Sequence, residues 1–252
     1  WLGSLGTRGN ETQRAAAVAG LCGEVAPSKV LADATALFRA VSVSTLRAAD
    51  FASSGVAVGA STSAAAAAMS ASDSAVGLGE RSYKAKLGEI DAFLSHSWKD
   101  EELWPGKKYE ALERWAAAHE AKNQGQGPTI WLDKACIAQH ENIDEQLVAL
   151  PVFCSGCKQL LILAGVTYPS RLWCVIEVFT YVKMVDDRTR IIVEPIGDGK
   201  VVEALAAFDA AKAQCFKPEE RSQLLAVIES GLGDFYHFNR VMRGIFAASA
   251  KN

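Results

Sequence analysis

Four short, almost continuously apolar runs constrain this chain most: Ile90 to Ser95, Thr129 to Asp133, Gln159 to Ala164 and Arg190 to Glu194. Each is strand-sized, and such runs read as strands buried on both faces of a parallel sheet. The segments between them are long enough for crossover helices, a role that Tyr109 to His119, Ile143 to Phe153 and Ser170 to Met184 fit. The expected fold class is therefore α/β: an open, flavodoxin-like parallel sheet of four clear strands, a fifth left open, with helices on both faces. Upstream, Val30, Leu31, Ala34, Leu37, Phe38 and Val41 recur at helical spacing after Pro27-Ser28. Residues 1–50 thus read as an N-terminal helical extension, 84–198 as the α/β domain, and 199–252 as a C-terminal helical part of that domain. Helical stretches are expected near 200–213, 219–230 and 234–247, with no clear strand among them.

Between the extension and the domain, residues 51–83 begin with a stretch in which Asp73 is the only charge from Phe51 to Gly79 and Ala, Ser, Gly and Val dominate. An Ala/Ser/Gly ribbon has little side-chain area to offset its ordering entropy, so it is expected to lie against protein. A short Ala-rich helix at 64–70 is the alternative. The formal net charge of −3 and the lack of a segregated basic patch disfavour a nucleic-acid binder that works by neutralising phosphates. The strongest apolar stretch, Leu160 to Gly165, is far short of the roughly 18 residues a membrane span needs.

Cysteines 22, 136, 154, 157, 174 and 215 are too few and scattered for a disulfide-stapled secreted fold, so an intracellular, reducing compartment is expected, the cytoplasm before an organelle. Cys154 and Cys157 form a C-x-x-C that precedes a strand, the reverse of a thioredoxin-type site, and no histidine pair beside them completes a zinc set. Buried structural thiols are the expectation, and no metal or cofactor is implied. The chain opens on Trp1, which suggests a processed or partial start, and Glu11, Glu24, Asp33 and Asp50 do not suit a transit peptide.

Ligands of open parallel sheets bind beyond the carboxyl ends of the strands. The first strand ends in Ser95-His96-Ser97-Trp98-Lys99-Asp100, the second in Asp133-Lys134, and the third in Gly165-Val166-Thr167-Tyr168, before a helix that Ser170 is placed to cap. In that helix Trp173 and Glu177 are four apart and share a face, while Leu172, Val175, Ile176, Phe179 and Val182 form the core stripe. Two readings stand for each candidate. Glu177 is catalytic or an acid paired with a basic neighbour; His96 is a base or substrate contact, or is satisfied by backbone; Asp133 contacts a ligand or caps its loop. A phosphoacceptor receiver domain would need an acidic cluster and a lysine at the strand ends, where only Asp133 stands, so that reading is disfavoured.

Taken in order, these segments resemble the Toll/interleukin-receptor (TIR) domain, most closely TIR-like proteins of algal and protist lineages. Asp91-Ala92-Phe93-Leu94-Ser95-His96-Ser97 resembles the D-x-F-[IL]-S-[YFH] first strand. Ile130-Trp131-Leu132-Asp133 with the polar loop after it resembles the second strand and BB loop, and Lys158 to Ala164 the third strand. Ser170-Arg171-Leu172-Trp173-Cys174-Val175-Ile176-Glu177 resembles the S-x-x-W-C-x-x-E helix. The likeness spans roughly residues 88–196. It implies either an NAD glycohydrolase or a non-catalytic interaction module or accessory subunit. In the first case Glu177 is the catalytic residue and Trp173, Ser95, His96, Ser97 and Asp133 are substrate-binding, with NAD the substrate rather than a cofactor. Partners would engage through self-association or a larger assembly via residues 1–80 and the BB-like loop 134–142. Two departures stand out: Ser97 and Trp98 occupy places that are basic in several NAD-cleaving members, and Gln139-His140-Glu141-Asn142 lacks the glycine common in their BB loops.

Overall fold

A computed structural model describes residues 8–23, 25–52, 77–137, 146, 148–185, 187–215, 221–222, 224–226, 228–229 and 234–249. The chain is α/β. Its strands are β1 (Arg39–Ser42), β2 (Tyr83–Lys84), β3 (Ala92–His96), β4 (Thr129–Trp131), β5 (Gln159–Ala164) and β6 (Ile191–Pro195), joined in one mixed sheet of order β2-β1-β4-β3-β5-β6. The helices are α1 (Arg8–Gly23), α2 (Pro27–Leu37), α3 (Lys99–Leu103), α4 (Lys107–Lys122), α5 (Asp133–Cys136), α6 (Leu150–Ser155), α7 (Leu172–Met184), α8 (Lys200–Ala206) and α9 (Phe235–Ser249). No helix among the described residues is long and apolar enough to cross a membrane.

The four apolar runs form the parallel part of the sheet. β3 pairs with β4 on one side and β5 on the other, and β5 pairs with β6, all parallel. Every residue of β3 is buried, as a central strand covered on both faces requires. Because β3 is flanked by the two strands that follow it in sequence, the chain reverses direction across the sheet there, and in sheets of this kind ligands bind at the carboxyl ends of the strands beside that point. The core beneath is aromatic: Phe93 stacks on Trp131 at 4.5 Å between centroids, Trp131 on Phe153 at 5.5 Å and Phe153 on Phe38 at 5.9 Å.

Phe38 belongs to the expected N-terminal helix, and here the expectation is corrected. α2 begins at Pro27 as its fixed φ favours, but stops at Leu37, and residues 39–42 become a strand antiparallel to β4 and β2. Long-range bonds hold this strand in place: Arg39 donates through Nε to Ser82 Oγ at 2.8 Å and through Nη2 to the Ser82 carbonyl at 2.6 Å. The sheet thus has six strands among the described residues, and the two beyond the expected four come from upstream, not from the C-terminal part. Other boundaries also differ. The second run ends as a strand at Trp131, and Asp133 opens α5. Residues 143–145 and 147 of the expected helix from Ile143 lie outside the described residues, Gln146 and Val148 are helical and α6 follows from Leu150, while the first C-terminal helix stops at Ala206. Asp209 then accepts from the Ala211 N–H and closes a 3₁₀ turn.

Residues 53–76, which include the ribbon and its alternative helix at 64–70, lie outside the described residues, but their two flanks are fixed. Asp50, buried, binds Arg81 through both carboxylate oxygens, at 2.5 Å and 3.0 Å. Arg81 also donates to the Thr45 carbonyl. Breaking one side of a buried ion pair strands the other charge, which costs about 3–5 kcal/mol. We expect Arg81→Ala to lower the unfolding free energy by about 3 kcal/mol in urea titration; a loss under about 0.5 kcal/mol, the level of an exposed pair, would contradict this account.

Candidate active site

Three carboxylates collect where the carboxyl ends of β3, β4 and β5 meet the start of α7. Asp100, near the start of α3, is fully buried and accepts from the Gly165 N–H at 3.2 Å, the Thr167 N–H at 2.9 Å and the Thr167 hydroxyl at 2.7 Å. A Cβ at Gly165 would fall on this carboxyl, so glycine is required for the approach. Asp133, at the start of α5, accepts from Trp98 Nε1 at 2.7 Å and from the Lys134 N–H at 2.7 Å, and its Oδ1 lies 3.4 Å from His96 Nε2. Burial works to raise the Asp133 pKa, but His96 and these donors outweigh it and hold the carboxyl below its ordinary value.

Glu177 is placed by α7, whose stripe of Leu172, Val175, Ile176 and Phe179 is buried against the sheet, with Val182 partly so. Ser170 does not cap this helix. Its hydroxyl donates to the Thr167 carbonyl, and Arg171 precedes the helix in extended conformation. The helix start is instead anchored to Gln214, whose carbonyl accepts from the Leu172 N–H at 2.8 Å. Glu177, half-buried, accepts a short hydrogen bond from Ser95 Oγ, and Ser95 Oγ lies 2.7 Å from the Tyr168 hydroxyl. None of the ion pairs among the described residues includes Glu177. Burial pushes its carboxyl up to about 8; the Ser95 hydrogen bond and Arg171 oppose this and the charge of Asp133 adds to it.

Ser95 and Glu177 therefore meet directly, and His96 and Asp133 meet beside them. Trp173 is half-buried against the core on the face of α7 that carries Glu177. Ser97 is fully buried and turned to Thr167, with 2.6 Å between hydroxyl oxygens. Asp133 takes the Lys134 N–H, as a loop cap does, while remaining partly exposed. The loop positions 138–142 lie outside the described residues. The sequence assigned no role to Asp100, Tyr168, Lys134 or Phe51. Tyr168 and Asp100 stand at strand ends, the position that could have flagged them, whereas Lys134 and Phe51 gain their roles from contacts distant in sequence. The thiols of Cys154, Cys157 and Cys174 are buried, and burial drives their pKa values well up, which leaves them inert.

Compared with family models, with curated proteins and with solved structures, the chain gives no match.

A carboxyl with a raised pKa in the folded state favours folding only while protonated. Its contribution is complete below the ordinary value of 4.5 and is lost as pH rises through about 8. We expect wild type to lose stability relative to Glu177→Gln between pH 5 and pH 9, by up to about 1.4 kcal/mol per pH unit below 8. Parallel unfolding curves across that range would contradict a raised carboxyl.

Proposed function

We propose that this chain carries a TIR-like domain with a flavodoxin-like parallel core, and that it hydrolyses NAD at the nicotinamide–ribosyl bond. What supports the reading is one observation above the others: Glu177, the residue that the S-x-x-W-C-x-x-E likeness singles out, stands beside the carboxyl end of β3 with a hydroxyl donor and no salt-bridge partner among the described residues. Nicotinamide leaves as a neutral molecule with the electrons of the broken C1′–N bond, so no general acid is required. The ribosyl group acquires oxocarbenium character, which an ionised carboxylate stabilises electrostatically. Water adds to C1′ and releases a proton, giving ADP-ribose, or an internal nucleophile closes a cyclic product.

The chain's own groups divide this work. Ser95 holds one Glu177 oxygen at a fixed position. Tyr168, fully buried, fixes Ser95. Asp133, partly exposed and held below its ordinary pKa, offers a second negative group to a ribose hydroxyl or to the pyridinium charge. A cationic substrate ring favours the ionised form of Glu177.

We expect the purified chain at high concentration to release nicotinamide from NAD, with kcat/KM rising about tenfold per pH unit below about 8 and levelling above it. Glu177→Ala should abolish release without loss of the fold, as read by circular dichroism. Intact NAD after prolonged incubation, or an active Glu177→Ala, would overturn the reading. A second reading, an interaction module without catalysis, draws on Trp98: its indole is bound to Asp133 and occupies one of that carboxylate's oxygens. Intact NAD together with a concentration-dependent change in sedimentation would favour it.

A further inference from the structure

The N-terminal segment reaches the candidate site at one point. The 3₁₀ turn Ala48–Phe51 follows β1 and ends with Phe51, whose buried ring meets the His96 imidazole edge-on at 5.9 Å between centroids, with 71° between planes. Lys134, next to Asp133, fixes this turn from the other side: its ammonium donates to the carbonyls of Asp50 at 3.1 Å and Ala52 at 2.5 Å. Arg81 holds Asp50 as described. Beneath Phe51, His96 is buried; its Nε2 is turned to Asp133, and its Nδ1 is buried with no hydrogen-bond partner in the structure. A buried, unpartnered ring nitrogen calls for an explanation, and the packing supplies one, since the imidazole is held by an aromatic wall rather than by a second polar partner.

We propose that Phe51 is a positioning residue of the candidate site: it seals the His96 imidazole against Asp133, and so makes the N-terminal segment a working part of that site. The inference rests on the hydrolase reading for its catalytic consequence, but not for its physical one. Sealed from water, the imidazole stays neutral, and burial holds its pKa below the ordinary value. The charged groups that face it are Asp133 at the start of α5, Lys108 on α4 and Arg171 before α7; Asp133 opposes the effect of burial, and Lys108 and Arg171 reinforce it. A neutral His96 leaves the charge of Asp133 available to a ligand, whereas an imidazolium would pair with that carboxylate and occupy it.

Two measurements on the full chain test this. Two-dimensional NMR of ring-labelled histidine follows the titration of His96 in wild type, Phe51→Ala and Phe51→Leu. NAD turnover gives KM for each at pH 6 and pH 8. The proposal expects His96 in Phe51→Ala to titrate near the ordinary 6.5, and Phe51→Leu, which keeps an apolar cover, to stay near wild type. It expects KM in Phe51→Ala to rise about fourfold over wild type at pH 6, where most of the imidazole is charged, and to return to the wild-type value at pH 8. A purely structural role would raise KM equally at both pH values. An unmoved His96 titration, or an equal KM ratio at both pH values, overturns the proposal. If wild type leaves NAD intact, the hydrolase reading fails, and the His96 titration alone decides the role of Phe51.

Discussion

Removing a carboxylate from water is costly, and the site is organised by how many hydrogen-bond donors each of its three carboxylates receives in return. Asp100 receives two backbone N–H groups and a hydroxyl, which tie the start of α3 to the end of β5. Asp133 receives an indole N–H and a backbone N–H, with His96 nearby. Glu177 receives the Ser95 hydroxyl. Asp100 is therefore a structural tie, Asp133 a stabilised anion with an exposed side, and Glu177 a carboxyl whose environment penalises its charge. Under the proposed chemistry that penalty has a use, because a substrate bearing positive charge on the reacting ring supplies the compensation that the folded chain withholds.

The scaffold that sets these distances extends beyond the parallel strands. β1 lies antiparallel against β4, and its register places Val41 opposite Ile130. The turns that follow β1 bring Phe51 to His96, and Lys134 and Arg81 fasten the same turn. At the other end of the sheet, α1 is tied down by Arg14, which donates to the Met184 carbonyl, and by Glu11, which pairs with Arg190. Arg190 in turn donates to the carbonyls of Cys157 and Lys158 ahead of β5. The upstream residues are in this sense part of the sheet's own packing.

The parallel core was legible because its signal is local: a run such as Gln159 to Ala164 has few other ways to bury itself, and β5 spans those same residues. α7 was legible for the same reason, since its buried stripe repeats at helical spacing. β1 was not. Phe38 and Val41 continue the spacing of α2, no glycine or proline marks the change, and what makes residues 39–42 a strand is pairing with β4 and the bond from Arg39 to Ser82. The end of α8 was hidden in a similar way, because Asp209 competes for the backbone locally and is itself held by Asn239, 30 residues on. In the site, Glu177, Ser95, His96 and Asp133 were visible from their places at strand ends or on a helix face. Their division of labour was not, because the number of donors each carboxylate receives depends on contacts that spacing does not encode.

Everything proposed for the site depends on Glu177 sitting half-buried at the carboxyl ends of the strands, its charge penalised and with no salt-bridge partner among the described residues. Carboxyl-carbon NMR of glutamate-labelled protein, with Glu177→Gln to assign the resonance, reads this directly. A midpoint near 8 is expected for Glu177. A midpoint in the ordinary glutamate range, about 4 to 5, would contradict it.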